Sequence, residues 1–172
     1  MRVRTGITGV AVLLGIWAAM ASAPRDTVSV EWRHGQETAI REAVLRDLLD
    51  NTAAFKGTPD MSICVGVGLD ELRGPGPVVD APLELRQRLS SGSHAVLPLS
   101  RCHVTKEEPL VDPAGRAAVE VAVGTIQWVS PDFVKTKGYA LLGGLSAIGF
   151  DYTLSLRDGR WLPDRVVPTW VS

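Results

Sequence analysis

The stretch from Phe150 to Val167, FDYTLSLRDGRWLPDRVV, decides the fold. Asp158-Gly159 sits between two alternating segments and predicts a two-residue type I′ turn, because both central residues of such a turn take positive φ. Arg157 then faces Arg160. The same register places Leu156 against Trp161, Leu154 against Pro163, Tyr152 against Arg165 and Phe150 against Val167 on one face. Thr153, Ser155, Arg157 and Asp164 fall mainly on the other. Pro163 takes a non-hydrogen-bonded position, where its missing N–H costs nothing if the strand is a sheet edge. Pro168 would take a hydrogen-bonded position opposite Gly149, so regular pairing is expected to stop near Val167. Arg165 is the misfit, a cation on the aromatic face beside Tyr152. Either the register slips, or the guanidinium reaches water over a stem packed on Tyr152. The alternative is functional: Arg165 offers bidentate donors to an anionic ligand in a pocket walled by Tyr152 and Trp128.

Working back from the hairpin, the runs Ala117 to Val129, Phe133 to Ala147 and Phe150 to Leu156 read as an antiparallel meander. They are separated by Ser130-Pro131-Asp132 and by a glycine-broken segment around Gly149. Val119, Val121 and Val123 are odd-numbered, whereas Ile126 and Trp128 are even, and this parity switch at Gly124 predicts a β-bulge. Thr105 to Arg116, with Pro109, Pro113 and Gly115, reads as an exposed connection. Val96 to Val104 is extended. Asp80 as N-cap, Pro82 in the first turn and Leu83, Leu85 and Leu89 predict a short helix over Ala81 to Ser90. Gly74 to Gly76 is a loop, and Met61 to Val67 a strand with Ile63, Val65 and Val67 opposite Cys64. From Gln36 to Asn51, Ile40, Val44, Leu45, Leu48 and Leu49 recur at helical spacing opposite Arg41, Glu42, Arg46 and Asp47, which predicts an amphipathic helix. The fold class is therefore α+β: this helix and the short one packed on a curved antiparallel sheet, cone-like in shape.

The N-terminus reads as an export signal over residues 1–23. Arg2 and Arg4 form a positive region, Gly6 to Met20 carry no charge, and Ala19-Met20-Ala21 or Ala21-Ser22-Ala23 supplies the cleavage site. Pro24 disfavours the second site, so cleavage is expected after Ala21; the competing expectation is an uncleaved anchor over Thr5 to Pro24. Residues 24–172 then form a single domain in the secreted or periplasmic space, with no membrane span after cleavage. The whole chain has 172 residues, with 18 basic against 19 acidic side chains; without Arg2 and Arg4 the basic count is 16 and the net charge −3. A mildly acidic domain has no general affinity for nucleic acid. Cys64 and Cys102 are the only cysteines, and in an exported protein an even count favours a disulfide over free thiols. A nucleophilic Cys102 beside His103 is disfavoured, because neighbours on a strand point to opposite faces.

No catalytic, metal or cofactor motif stands out. His34, His94 and His103 lack metal-ligand spacing, Ser100 lacks a nucleophile elbow, and Gly66-x-Gly68 lacks the third glycine and the helix of a phosphate loop, which leaves a strand-end turn. Gly138 to Gly149 is too short for a membrane span and suits a central strand with glycine kinks.

The segments Glu42-Ala43-Val44-Leu45-Arg46, Cys64-Val65-Gly66-Val67-Gly68, Ser100-Arg101-Cys102, Gly144 to Gly149 and Asp158-Gly159-Arg160-Trp161, followed by Trp170, resemble a group of small, exported, uncharacterised bacterial proteins. The order helix, strand, helix and several antiparallel strands also looks like the cone-shaped fold of nuclear transport factor 2-like and cystatin-like domains. The first resemblance implies export and no particular activity; the second is an analogy of fold and does not set function. The leading expectation is a non-enzymatic domain binding an unknown protein or small-molecule partner without a cofactor. Its rival is a cone-fold isomerase or hydrolase with a carboxylate or histidine in the cavity, and a third expectation is β-augmentation through the last strand.

Overall fold

The computed structural model describes residues 30–51, 61–68, 79–90, 94–103, 110–141 and 146–171. The export signal, the Gly74–Gly76 loop and Val104 to Pro109 lie outside the described residues. Those described form α1 (Val30–Asn51), β1 (Ser62–Val67), α2 (Leu83–Leu89), β2 (Val96–Pro98), a 3₁₀ turn (Leu99–Arg101), β3 (Ala118–Val123), β4 (Gln127–Ser130), β5 (Phe133–Leu141), β6 (Ala147–Arg157) and β7 (Arg160–Val171). The strands make one sheet in the order β2-β1-β3-β5-β6-β7, with β4 also paired to β5.

The architecture is α+β, but the sheet is mixed and not purely antiparallel. β1 runs parallel to both β2 and β3. The crossover through α2 makes the β1–β2 pairing possible, since a short turn joins only antiparallel neighbours. Every residue of β1 is buried, as a parallel strand covered on both faces requires. Ile63, Val65 and Val67 enter the main core, while Cys64 joins Leu99, Leu110 and Ala118 in a second cluster on the opposite face. Cys64 and Cys102 form the disulfide, with Cα atoms 6.3 Å apart, and so bind the central strand to the segment covering it.

The main core lies between α1 and the sheet. Ile40, Val44, Leu45 and Leu48 are buried as the periodicity predicts. The helix begins six residues before Gln36 because Trp32 and Gln36 have partners on the sheet. Trp32 packs at 5.5 Å from Trp128, which packs edge-on at 5.7 Å from Trp161, and Trp161 Nε1 donates to Gln36 Oε1 at 2.8 Å. Gly138 lets the helix approach: a Cβ there would stand 2.8 Å from Tyr152 Cε2 and 3.1 Å from Leu48 Cδ1. Gly138→Val should therefore cost about 1–3 kcal/mol through overpacking, read as a lower urea midpoint at unchanged slope; a neutral result would show that α1 can lift without cost.

Three further expectations are corrected. Asp80 does not cap α2; Pro82 occupies that position without a side-chain bond, and the Asp80 carboxylate accepts from Ser100 N and Ser100 Oγ, both at 2.7 Å. Leu110, Val111 and Asp112 are buried, not exposed, because this segment closes over the outer face of β1 and β3. The run expected from Phe133 to Ala147 ends at Leu141, and Leu141 pairs with Ala147, so Gly138 to Gly149 is split between two strands and Gly149 lies inside β6. The parity switch at Gly124 is present as a break: β3 and β4 both pair with β5 on either side of residues 124–126. Gly68, at φ 75°, ends β1 in a turn.

Candidate functional site

The hairpin forms as the turn chemistry demands, with Asp158 at φ 50° and Gly159 at φ 74°. Leu156 faces Trp161 and Leu154 faces Pro163. Beyond Pro163 the register slips by one residue, so Arg165 faces Thr153 and Tyr152 faces Val166. Asp164 is the extra residue of the bulge. It is held on the outer face by bonds from Ser155 Oγ and Arg157 Nη2. The slip sends Arg165 to water and Val166 to the core, which removes the cost of a cation among aromatic rings. A second irregularity between Gly149 and Phe150 lets pairing continue to Val171, past Pro168 and past the stop expected near Val167. β7 is the sheet edge, as expected.

The slip separates the side chains of the trio Trp128, Tyr152 and Arg165, although Tyr152 and Arg165 still border one cavity. Trp128 belongs to the aromatic cluster under α1, where Arg33 lies 5.8 Å over its ring. Tyr152 is buried and donates its hydroxyl to Asp47 Oδ2 at 2.8 Å; burial first, then the Asp47 carboxylate, pushes its phenol well above the ordinary tyrosine range. Arg165 stands on the opposite face of the sheet.

There it joins residues that the sequence reading passed over. A cavity of about 430 Å³ opens on the outer face and is lined by Gln127, Lys135, Lys137, Asp151, Thr153 and Arg165, among others. Strand register explains the grouping. Gln127, Lys135, Thr153 and Arg165 form one row across β4, β5, β6 and β7, and Lys137, Asp151 and Val167 form the next. Side chains two apart on a strand share a face. Lys135, Lys137 and Arg165 make no ion pair with any described residue, as is also true of Arg33, Arg86, Arg101 and Arg160, whereas Arg41, Arg46, Arg88, Arg116 and Arg157 are held by carboxylates; what sets the three apart is that one cavity gathers them. Three uncommitted cations and one carboxylate, with an amide and a hydroxyl between them, can bind an anion. The legible signal was the alternation Phe133-Val134-Lys135-Thr136-Lys137, which puts both lysines on one face.

No family model, curated protein or solved structure matches this chain. Several other polar groups are committed elsewhere. Asp47 accepts from Asn51 Nδ2 as well as from Tyr152 and borders a smaller cavity of about 170 Å³. Ser100 is tied to Asp80, and Cys102 to Cys64, so neither is a nucleophile paired with His103. His94 Nδ1 lies 3.0 Å from Met61 O. No group of three metal-ligating side chains occurs among the described residues.

Proposed function

We propose that this chain is an exported, non-enzymatic binding domain whose ligand is anionic and docks in the outer-face cavity between β4 and β7. The observation that carries the reading is the row Lys135–Thr153–Arg165 with Lys137 beside it: unpaired cations gathered on one open surface of a chain whose formal net charge is −1. Bidentate donors from Arg165 and point charges from the lysines suit carboxylate or phosphate oxygens. Export is supported by the signal-like N-terminus and by the disulfide; among the described residues no helix is long and apolar enough to cross a membrane. An enzymatic reading finds less support: Asp47 and Asp112 already accept bonds from neighbouring side chains, the buried Glu120 has an interaction of its own, and Asp151, which lines the cavity, is exposed opposite Lys137.

The test is a titration of the oxidised protein with citrate and with inorganic phosphate, followed by amide chemical shifts. Shifts centred on Lys135, Thr153 and Arg165, weakening with added salt, are expected. The double variant Lys135→Ala/Arg165→Ala should bind at least tenfold more weakly while melting within about 0.5 kcal/mol of the parent, as surface substitutions do. Shifts centred on the α1 face, or equal binding by the variant, would overturn the proposal.

A further inference from the structure

The cationic rows continue into an aromatic one. Tyr139, Gly149 and Trp170 are cross-strand neighbours in the next row along the outer face. A Cβ on Gly149 would lie 2.4 Å from Trp170 Nε1 and 2.5 Å from Trp170 Cε2, so the indole lies directly against the glycine backbone. Glycine at this position is what lets the ring lie down on the sheet. Trp170 nonetheless remains 38% exposed, and a large aromatic side chain held in place and open to water is a ready contact surface.

Along β6, Gly149 and Asp151 are two residues apart, which separates the Trp170 row from the Lys137–Asp151–Val167 row by about 7 Å. The Lys135–Thr153–Arg165 row follows at the same spacing. An apolar platform, then a carboxylate acceptor with a lysine, then an arginine and a lysine flanked by amide and hydroxyl groups, form a continuous strip. The chemistry of a matching ligand follows in the same order: a face of C–H groups to lie on the indole, hydroxyls to donate to Asp151 and Thr153, and an anionic oxygen pair for Arg165 and Lys135. A pyranose ring has one such C–H face, and hydroxyls around its rim.

Building on the anion-binding reading above, we infer that the ligand is an acidic saccharide, a uronic-acid oligomer with one ring stacked on Trp170 and the carboxylate of a ring further along the oligomer between Lys135 and Arg165. A simple anion satisfies the cations and leaves Trp170 unused; a neutral sugar does the reverse.

The experiment compares trigalacturonate, its fully methyl-esterified form and a tetraglutamate peptide on the oxidised protein, read by the indole N–H shift of Trp170 together with the Arg165 and Lys135 amides. The acid form should shift both sets and bind at least tenfold more tightly than the ester or the peptide. Trp170→Ala should weaken it at least tenfold and Trp170→Tyr much less, with citrate binding unchanged in both. Equal binding of acid and ester, tighter binding of the peptide, or indifference to Trp170→Ala would overturn the saccharide assignment. If citrate binds at Arg165 and trigalacturonate does not, the saccharide fails and the anion site stands; if neither binds, both fail.

Discussion

Replacing Cys64 and Cys102 together with alanine is expected to lower the unfolding free energy by about 4 kcal/mol, since the bridge closes a loop with a sequence separation of 38 and removes the corresponding entropy from the unfolded chain. The native geometry argues for a loss of that order. Cys64 is fully buried in β1, between β2 and β3, and Cys102 follows the 3₁₀ turn whose Leu99 packs on the same cluster. Without the link, the cover over the outer face of β1 is held by Leu99, Leu110 and Ala118, by the Asp80–Ser100 bonds and by the backbone pairing of His103 with Val111. Thermal unfolding should shift down by about 10 °C, at roughly 2–4 °C per kcal/mol for a domain of this size. Reduction of the parent protein should reproduce the shift. A variant within about 1 kcal/mol of the parent would show that the cover closes on packing alone, and two alkylatable thiols in natively purified protein would remove the bridge altogether.

Local chemistry was legible where it acts locally. Asp158-Gly159 reports its turn through φ, and the apolar spacing from Ile40 to Leu48 reports a buried helix face. What escaped depends on partners distant in the chain. The parallel pairing of β1 follows from which strands flank it, and its residues alternate as they would in either direction. The slip after Pro163 is anchored when Asp164 reaches back across the hairpin to Ser155 and Arg157, and counting by two raises the conflict at Arg165 without saying where the inserted residue falls. That slip is one of the outcomes the misfit of Arg165 predicted: a cation on the aromatic face was the conflict, and the bulge resolves it by moving Arg165 to the other face. Lys135 and Lys137 look like ordinary solvated residues on their own strand. They become a candidate site when the slip brings Arg165 onto the same face.

Asp112 shows the same dependence on distant partners, and its removal carries the other large effect. The carboxylate is 1% exposed and accepts from Ser62 Oγ at 2.7 Å, from the backbone N–H of Ala114 at 2.8 Å and of Arg116 at 3.0 Å, and from Arg116 Nε at 2.8 Å. Pro113 and Gly115, the latter at φ 75°, shape the turn so that these donors converge. Burial alone would push this carboxyl up. The bond from Ser62 and those from the backbone and side chain of Arg116 outweigh it and hold the group well below the ordinary aspartate range. Asp112→Ala leaves the buried Ser62 hydroxyl without its acceptor, while the Ala114 and Arg116 donors sit on exposed residues and turn to water, so a loss of about 1–3 kcal/mol is expected. The pH dependence has a definite sign. Because the folded group titrates lower than the unfolded one, its contribution is complete above about pH 4, the unfolded value, and declines as pH falls from there toward the folded value. Urea midpoints between pH 7 and pH 2 should therefore drop more steeply for the parent than for Asp112→Asn, which keeps the shape and cannot ionise. Parallel pH profiles in the two proteins would mean that the acid sensitivity resides in other carboxylates and that Asp112 is held by packing alone.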